Sequence, residues 1–228
     1  MIVARPKSFE DIKRYVGNRK KVAIVGCGGC VTVRPVGGQK QVSELAALLR
    51  LWAKKEALTR GSQPLTIEEE TILRQCEPEF INSLEGRFKD CEVIISLACG
   101  VGVQCLADKF PGQEVFPGVD AVFMGATIEP GLYWERCVGC CNCIIGETGG
   151  LCPVSRCAKS LLNGPCGGSL GGHCEVSPET PCVWQLIYER MEQRGNLGAL
   201  DRIMPIKDWS VRPGRLVLEH LRVEKKES

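Results

Sequence analysis

Histidine, aromatic side chains and long apolar runs are all scarce in this chain. Two histidines occur in 228 residues, His173 and His220, and aromatic residues make up 6%. No run approaches the ~20 apolar residues that cross a membrane. The opening Met1-Ile-Val-Ala-Arg-Pro-Lys lacks the apolar core and small-residue site of a secretory signal. Neither sign of charge dominates: 29 Lys and Arg stand against 27 Asp and Glu, a net +2. That balance provides no basic field for nucleic acid. A cytoplasmic protein is expected, with no membrane span and no nucleic-acid partner. Hydrophobic residues reach 44%, but this includes cysteine, and about 37% remains without it. The ordinary core is thin for the length, so metal or covalent staples are expected to support the fold.

Cysteine is what the chain has in quantity, 15 residues. A disulfide scaffold is typically small, secreted and even in cysteine number, and this chain is none of these. Reduced thiols in such number point to metal. Six cysteines precede residue 137, and nine lie in the 46 residues from 137 to 182 together with nine glycines. No conventional core can be built from that segment. The expected organisation is an α/β domain over 1–130, a cysteine-rich metal-binding domain over 131–195 and a tail over 196–228.

The first part reads as strands alternating with helices, which implies an open parallel sheet. Ser8 with Asp11 resembles a capping box for a helix to about Tyr15. Lys21–Gly26 and Cys91–Leu97 read as buried strands, and Ala121–Met124 as a third. Val42, Leu45, Leu49 and Trp52 predict a helix over 41–58, closed by Gly61. Thr66 with Glu69 predicts another helix to about Gln75, ending at Cys76. Phe80, Leu84 and Phe88 mark a helical stripe, and 102–110 is a further helix. The second part is mostly irregular until Thr180, an expected N-cap with Pro181 at the first helical position. Val183, Leu186, Ile187 and Met191 form that helix's stripe, and Gly195 ends it. The tail carries Trp209 and Leu216–Leu218, is expected to be partly buried against the body or a partner, and is a candidate docking arm.

Gly26-Cys-Gly-Gly-Cys30 follows a strand directly, where open α/β sheets place their sites. A dinucleotide loop is disfavoured by Val31 and by Arg34-Pro35. A thioredoxin-like pair needs a helix after the motif, and Val31–Pro35 does not read as one. Metal ligation remains, because Cys-x-x-Cys lets two thiolates reach one centre. Cys99 ends the second strand on the same edge, and Cys76 lies in a connection able to reach it. The preferred set is Cys27, Cys30, Cys76 and Cys99, with Cys105 as the substitute for Cys76. Cys91, at the opposite strand end, reads as a core residue. Four thiolates suit zinc or an iron–sulfur cluster.

In the second region Cys137, Cys140 and Cys143 form Cys-x2-Cys-x2-Cys, with Cys152-Pro153 after them. The tight triplet favours iron–sulfur over zinc, although the eight-residue gap to Cys152 departs from the three of bacterial ferredoxins. Cys141 reads as a non-ligand. With Cys152, Cys157, Cys166, Cys174 and Cys182, eight thiols remain, enough for two four-thiolate sites. His173 beside Cys174 is a weaker zinc candidate, and a lone histidine in a glycine-rich loop reads first as a bystander.

Gly149-Gly-Leu-Cys-Pro-Val-Ser-Arg-Cys157, Asn163-Gly-Pro-Cys-Gly-Gly168 and Pro181-Cys-Val-Trp-Gln-Leu-Ile-Tyr188 closely resemble the methylenetetrahydrofolate reductase C-terminal domain family. Gly26–Cys30, Arg74-Gln-Cys76 and Leu97–Gln104 are similar to its longer, stand-alone members, the small iron–sulfur subunits of acetogen methylenetetrahydrofolate reductases. The resemblance implies a non-catalytic subunit with [4Fe-4S] clusters, and leaves open whether one site holds zinc. Its implied partner is a flavin-bearing barrel subunit that reduces methylenetetrahydrofolate to methyltetrahydrofolate in the methyl branch of the Wood–Ljungdahl pathway. Further electron-transfer subunits are a second class of implied partner. By the same resemblance Cys27, Cys30, Cys76 and Cys99 hold one cluster, while Cys105 and Cys141 fall outside the pattern. Cys137, Cys140 and Cys143 join later cysteines whose pairing stays open. The alternative is a structural zinc module that stabilises the same flavoprotein without moving electrons.

Overall fold

The computed structural model describes residues 1–60, 65–211 and 214–218. The chain divides into two compact units, Met1–Trp134 and Glu135–Ser228. The strands are β1 (Ile2–Pro6), β2 (Lys21–Cys27), β3 (Thr66–Ile72), β4 (Val93–Ser96), β5 (Glu114–Pro117), β6 (Val119–Glu129) and β7 (Leu132–Cys137). The helices are α1 (Phe9–Val16), α2 (Cys30–Val33), α3 (Gln39–Arg60), α4 (Pro78–Asn82), α5 (Gly100–Lys109), α6 (Pro153–Arg156) and α7 (Val183–Gln193).

In the first unit a four-stranded parallel sheet runs β3-β2-β4-β5. The central strands are buried on both faces, as parallel strands covered by helices must be. Their side chains alternate between two cores. Val22, Ile24, Val93 and Ile95 join Ile12 and Val16 of α1 and Val42, Ala46 and Leu49 of α3. Ala23, Val25 and Ile94 face the other way, toward Ile81, Leu84, Phe88 and Leu106. Full burial of each such aliphatic side chain contributes about 1.5–3 kcal/mol. The edge strand β3 carries three consecutive glutamates, each paired: Lys21 to Glu68 at 2.7 Å, Arg50 to Glu69 at 2.7 Å and Arg87 to Glu70 at 2.5 Å.

Ser8 caps α1 as expected, its hydroxyl accepting from the Asp11 amide. Four readings are corrected. Residues 66–72 form β3 rather than a helix. The Thr66–Glu69 spacing imitates a capping box, but Thr66, Ile67, Thr71 and Ile72 are β-branched and pair in register with β2. Cys76 therefore lies in a turn between β3 and α4, not at a helix end. The stripe through Phe88 is broken after α4, because Phe88 sits at φ +58°, outside any right-handed helix. Residues 30–33 do form a short helix, so Val31–Pro35 is helical for one turn. Ala121–Met124 belongs to β6, which pairs antiparallel with β1 in a separate sheet of order β1-β6-β7.

The second unit has little regular structure before α7. Its core cluster is Leu151, Val183, Trp184, Ile187 and Met191. Cys182 precedes α7 as its cap, and Gly195 at φ +64° follows its end. A 3₁₀ turn, Leu197–Asp201, lays Leu197 and Leu200 on this cluster. Asn163 then holds the chain beyond, donating to the Met204 carbonyl at 2.9 Å and accepting from its amide at 2.7 Å. In the chain alone Trp209 and Leu216–Leu218 are exposed. Gly61, read as the end of α3, lies outside the described residues. Among the described residues no helix is long and apolar enough to cross a membrane.

Candidate metal centres

The carboxyl ends of β2, β3 and β4 bring the first cysteine set to one edge. Cys27 is the last residue of β2 and is buried; its amide donates to the Gly37 carbonyl at 2.8 Å. Gly37 has to be glycine, because a Cβ there would lie 2.0 Å from the Leu97 carbonyl oxygen. Thr32 Oγ1 donates to the Cys27 carbonyl at 2.6 Å, which folds the Cys27–Cys30 loop back onto its strand. Cys30 opens α2 and is exposed. A thioredoxin-like pair would have its first cysteine at the helix start; here it is the second. Cys99 caps α5 after β4.

Cys76 feels the charges of both Cys27 and Cys99. Although the residue is exposed overall, local desolvation pushes its thiol up, and the charges of Cys27, Glu77 and Cys99 push it the same way. Three of the four expected thiols thus share one electrostatic neighbourhood, with Cys30 on the rim of the same loop. Cys91 lies at the amino end of β4, buried, and Cys105 packs against the second core, so neither joins the group.

In the second unit the triplet forms a tight loop. The Gly139 amide donates to Cys137 Sγ at 3.3 Å, and Cys140 Sγ lies 3.6 Å from the Asn142 carbonyl. Partial burial raises the Cys140 thiol, but the Asn142 backbone and the Lys207 ammonium outweigh it and hold the group below the ordinary thiol range. Lys207, from the tail, also donates to the Asn142 carbonyl. Cys141 is exposed at φ +61° with its sulfur turned to the Gly139 carbonyl. Cys152 caps α6, and its charge acts on Arg156. The Arg156 guanidinium is held below its usual range by burial and by the like charges of Arg136 and Arg190, against an opposing pull from Cys152.

The last four cysteines do something sequence spacing left open. Cys157, Cys166, Cys174 and Cys182 line one cavity of about 20 Å³. Backbone bonds set its walls: Cys174 N–H to Thr180 at 2.9 Å and Cys182 N–H to Gly172 at 2.7 Å. Lys159 and Glu175 pair beside it. His173 is not among the lining residues; its backbone bridges Leu170 and Pro181. Lys207, the three arginines and this grouping of the late thiols carry no motif, since long-range folding brings them together.

Among the described residues, no three or more Cys, His, Asp or Glu side chains form a group that could hold a metal ion. The donor chemistry nonetheless suits thiophilic metal, because each group is all-thiol and borne on short, backbone-bonded loops.

Residues 116–210 match the family described as methylene-tetrahydrofolate reductase C terminal. The resemblance read from the sequence holds over that segment, which takes in β6, β7 and all nine late cysteines. No curated protein and no solved structure matches the chain.

Proposed function

We propose that this chain is a non-catalytic iron–sulfur subunit of a methylenetetrahydrofolate reductase complex. It docks the flavin-bearing subunit that reduces methylenetetrahydrofolate to methyltetrahydrofolate, in the methyl branch of the Wood–Ljungdahl pathway, and passes electrons to it. The observation that carries the reading is a chain of 15 cysteines whose residues 116–210, with nine of them, match the methylene-tetrahydrofolate reductase C-terminal family. Cys27, Cys30, Cys76 and Cys99 would hold one cluster. Cys137, Cys140 and Cys143 would hold a second with Cys152, whose neighbouring guanidiniums offset the negative charge of a thiolate-ligated site. Cys157, Cys166, Cys174 and Cys182 would hold zinc, since a cavity of about 20 Å³ has room for an ion rather than a cluster.

A bound cluster with four thiolate ligands supplies one-electron transfer. The chain's own residues prepare the surface for it. Val33, Leu73 and Val101 stand exposed next to the cysteine-bearing loops at the end of the parallel sheet. Exposed apolar side chains around an exposed thiol rim suit a partner that must come close to collect electrons.

Anaerobic purification followed by iron, sulfide and zinc analysis tests the reading. About eight irons and one zinc per chain are expected, with paramagnetic signals on reduction. Cys99→Ala should lose one cluster, whereas Cys141→Ser should keep full metal content. Zinc alone, with no visible or paramagnetic cluster signal, would sink the proposal.

A further inference from the structure

Gln75 is fully buried, directly before Cys76, on a turn where a glutamine would ordinarily face water. Both ends of its amide are used. Nε2 donates to the Val25 carbonyl at 2.9 Å, and Oε1 accepts from Ser96 Oγ at 2.6 Å. Ser96, also fully buried, accepts in turn from the Ala98 amide at 3.3 Å. Val25 and Ser96 are register partners in β2 and β4. The Val25 carbonyl already receives the Leu97 amide at 2.9 Å, so the glutamine bond is additional to the sheet's own pairing. The first turn of α5 closes over the side chain: a Cβ on Gly102 would lie 2.8 Å from Gln75 Cβ.

Each anchor of this network lies within a few residues of a site thiol. Val25 stands two residues before Cys27, Gln75 one before Cys76 and Ser96 three before Cys99. Buried polar groups are retained in cores only when satisfied, and satisfied networks fix one arrangement. We infer that Gln75 and Ser96 are the positioning residues of the first thiol site, a buried brace that holds the Cys76 turn against the two strand ends carrying Cys27 and Cys99. The brace sets where Cys76 stands; it touches no electron carrier. The inference rests on reading these thiols as one metal site, and its test has a readout that needs no metal.

The full chain, stripped of metal and reduced, is treated with phenylarsine oxide, which bridges only thiols that lie close together. Peptide mapping then follows the bridge from Cys76 to Cys27 or Cys99. Gln75→Met keeps the length of the side chain and removes both bonds, and should slow bridging about tenfold. Ser96→Ala removes one bond and should slow it about threefold, which covers the case in which Gln75→Met fails to fold by circular dichroism. The anaerobic protein gives the second readout, a changed paramagnetic signature at the first site in Gln75→Met with the other sites unaltered.

Bridging at the wild-type rate in folded Gln75→Met and Ser96→Ala would overturn the brace even if the wild type carries clusters. Absence of the bridge in the wild type would overturn it as well. If the wild type holds no metal but bridging falls in Gln75→Met, the metal reading fails and the brace stands.

Discussion

Cys91 and Cys99 bracket the same strand, and their surroundings give them opposite chemistry. Cys91 is enclosed at the amino end of β4, where burial, with a smaller push from Glu68, drives its thiol up to about 11. A group that binds its proton more tightly in the folded state contributes fully below the unfolded value and loses that contribution as pH rises toward the folded one. The ordinary thiol value is 9.0, so the window lies between pH 9 and about 11. Stability should fall across it, by at most about 1.4 kcal/mol per pH unit from this one group. Urea melts at pH 8, 9.5 and 10.5 would measure the loss, and Cys91→Ala should flatten it. An equal decline in the variant would assign the effect to other groups. The separation of Cys91 from the site was legible in sequence, because a strand of known direction sends its two ends to opposite edges. Gln75 was not legible: a glutamine in a polar turn carries no sign that two strand ends will meet its amide.

Among the elements, α3 and α7 were readable because each shows a helical stripe that packing then uses, and α1 because Ser8 caps it. β3 was not. Three consecutive glutamates and a threonine–glutamate spacing look like an exposed, capped helix, and only pairing with β2 turns them into an edge strand. The tail divides in the same way. Its 3₁₀ turn and Met204 are tied down through Leu197, Leu200 and the two Asn163 bonds, whereas Ile203 just before Met204 and Ile206 just after it are 81% and 95% exposed. Those side chains are available to a partner. Deletion after Ala199 should therefore weaken binding to the flavin-bearing subunit at least tenfold, while Asn163→Ala, which only unties the segment, should weaken it less. A pull-down at full strength after the deletion would remove the docking role.

For the whole molecule, the two units differ in what holds them. The first has two extensive apolar cores on either face of its sheet; the second has five buried apolar residues around α7. In a unit with so small a core, metal bound as proposed would contribute folding free energy. Calorimetry of the anaerobic protein should show two transitions, and a chelator should lower the one belonging to residues after 134 by 10 °C or more, an order-of-magnitude expectation of about 2 kcal/mol in a domain of this size. The transition of the parallel-sheet unit should move far less. A chelator that leaves both in place would mean that the late cysteines contribute no metal-dependent stability. This asymmetry was visible in composition, where cysteine and glycine replace apolar residues. The grouping of the late thiols was not visible, since equal spacings in an irregular chain fit several pairings.

The borders of the parallel sheet carry a consequence for assembly. β3 closes one side with Glu68, Glu69 and Glu70, each engaged by a cation of its own unit, and β5 closes the other with four residues ending in Pro117. Inserted charge, proline and shortness are the devices by which sheets refuse an additional strand. Association of this unit with another chain therefore proceeds through loops and helix ends, by side-chain complementarity, and not by extending the sheet. The same borders protect the chain from edge-to-edge aggregation through this sheet.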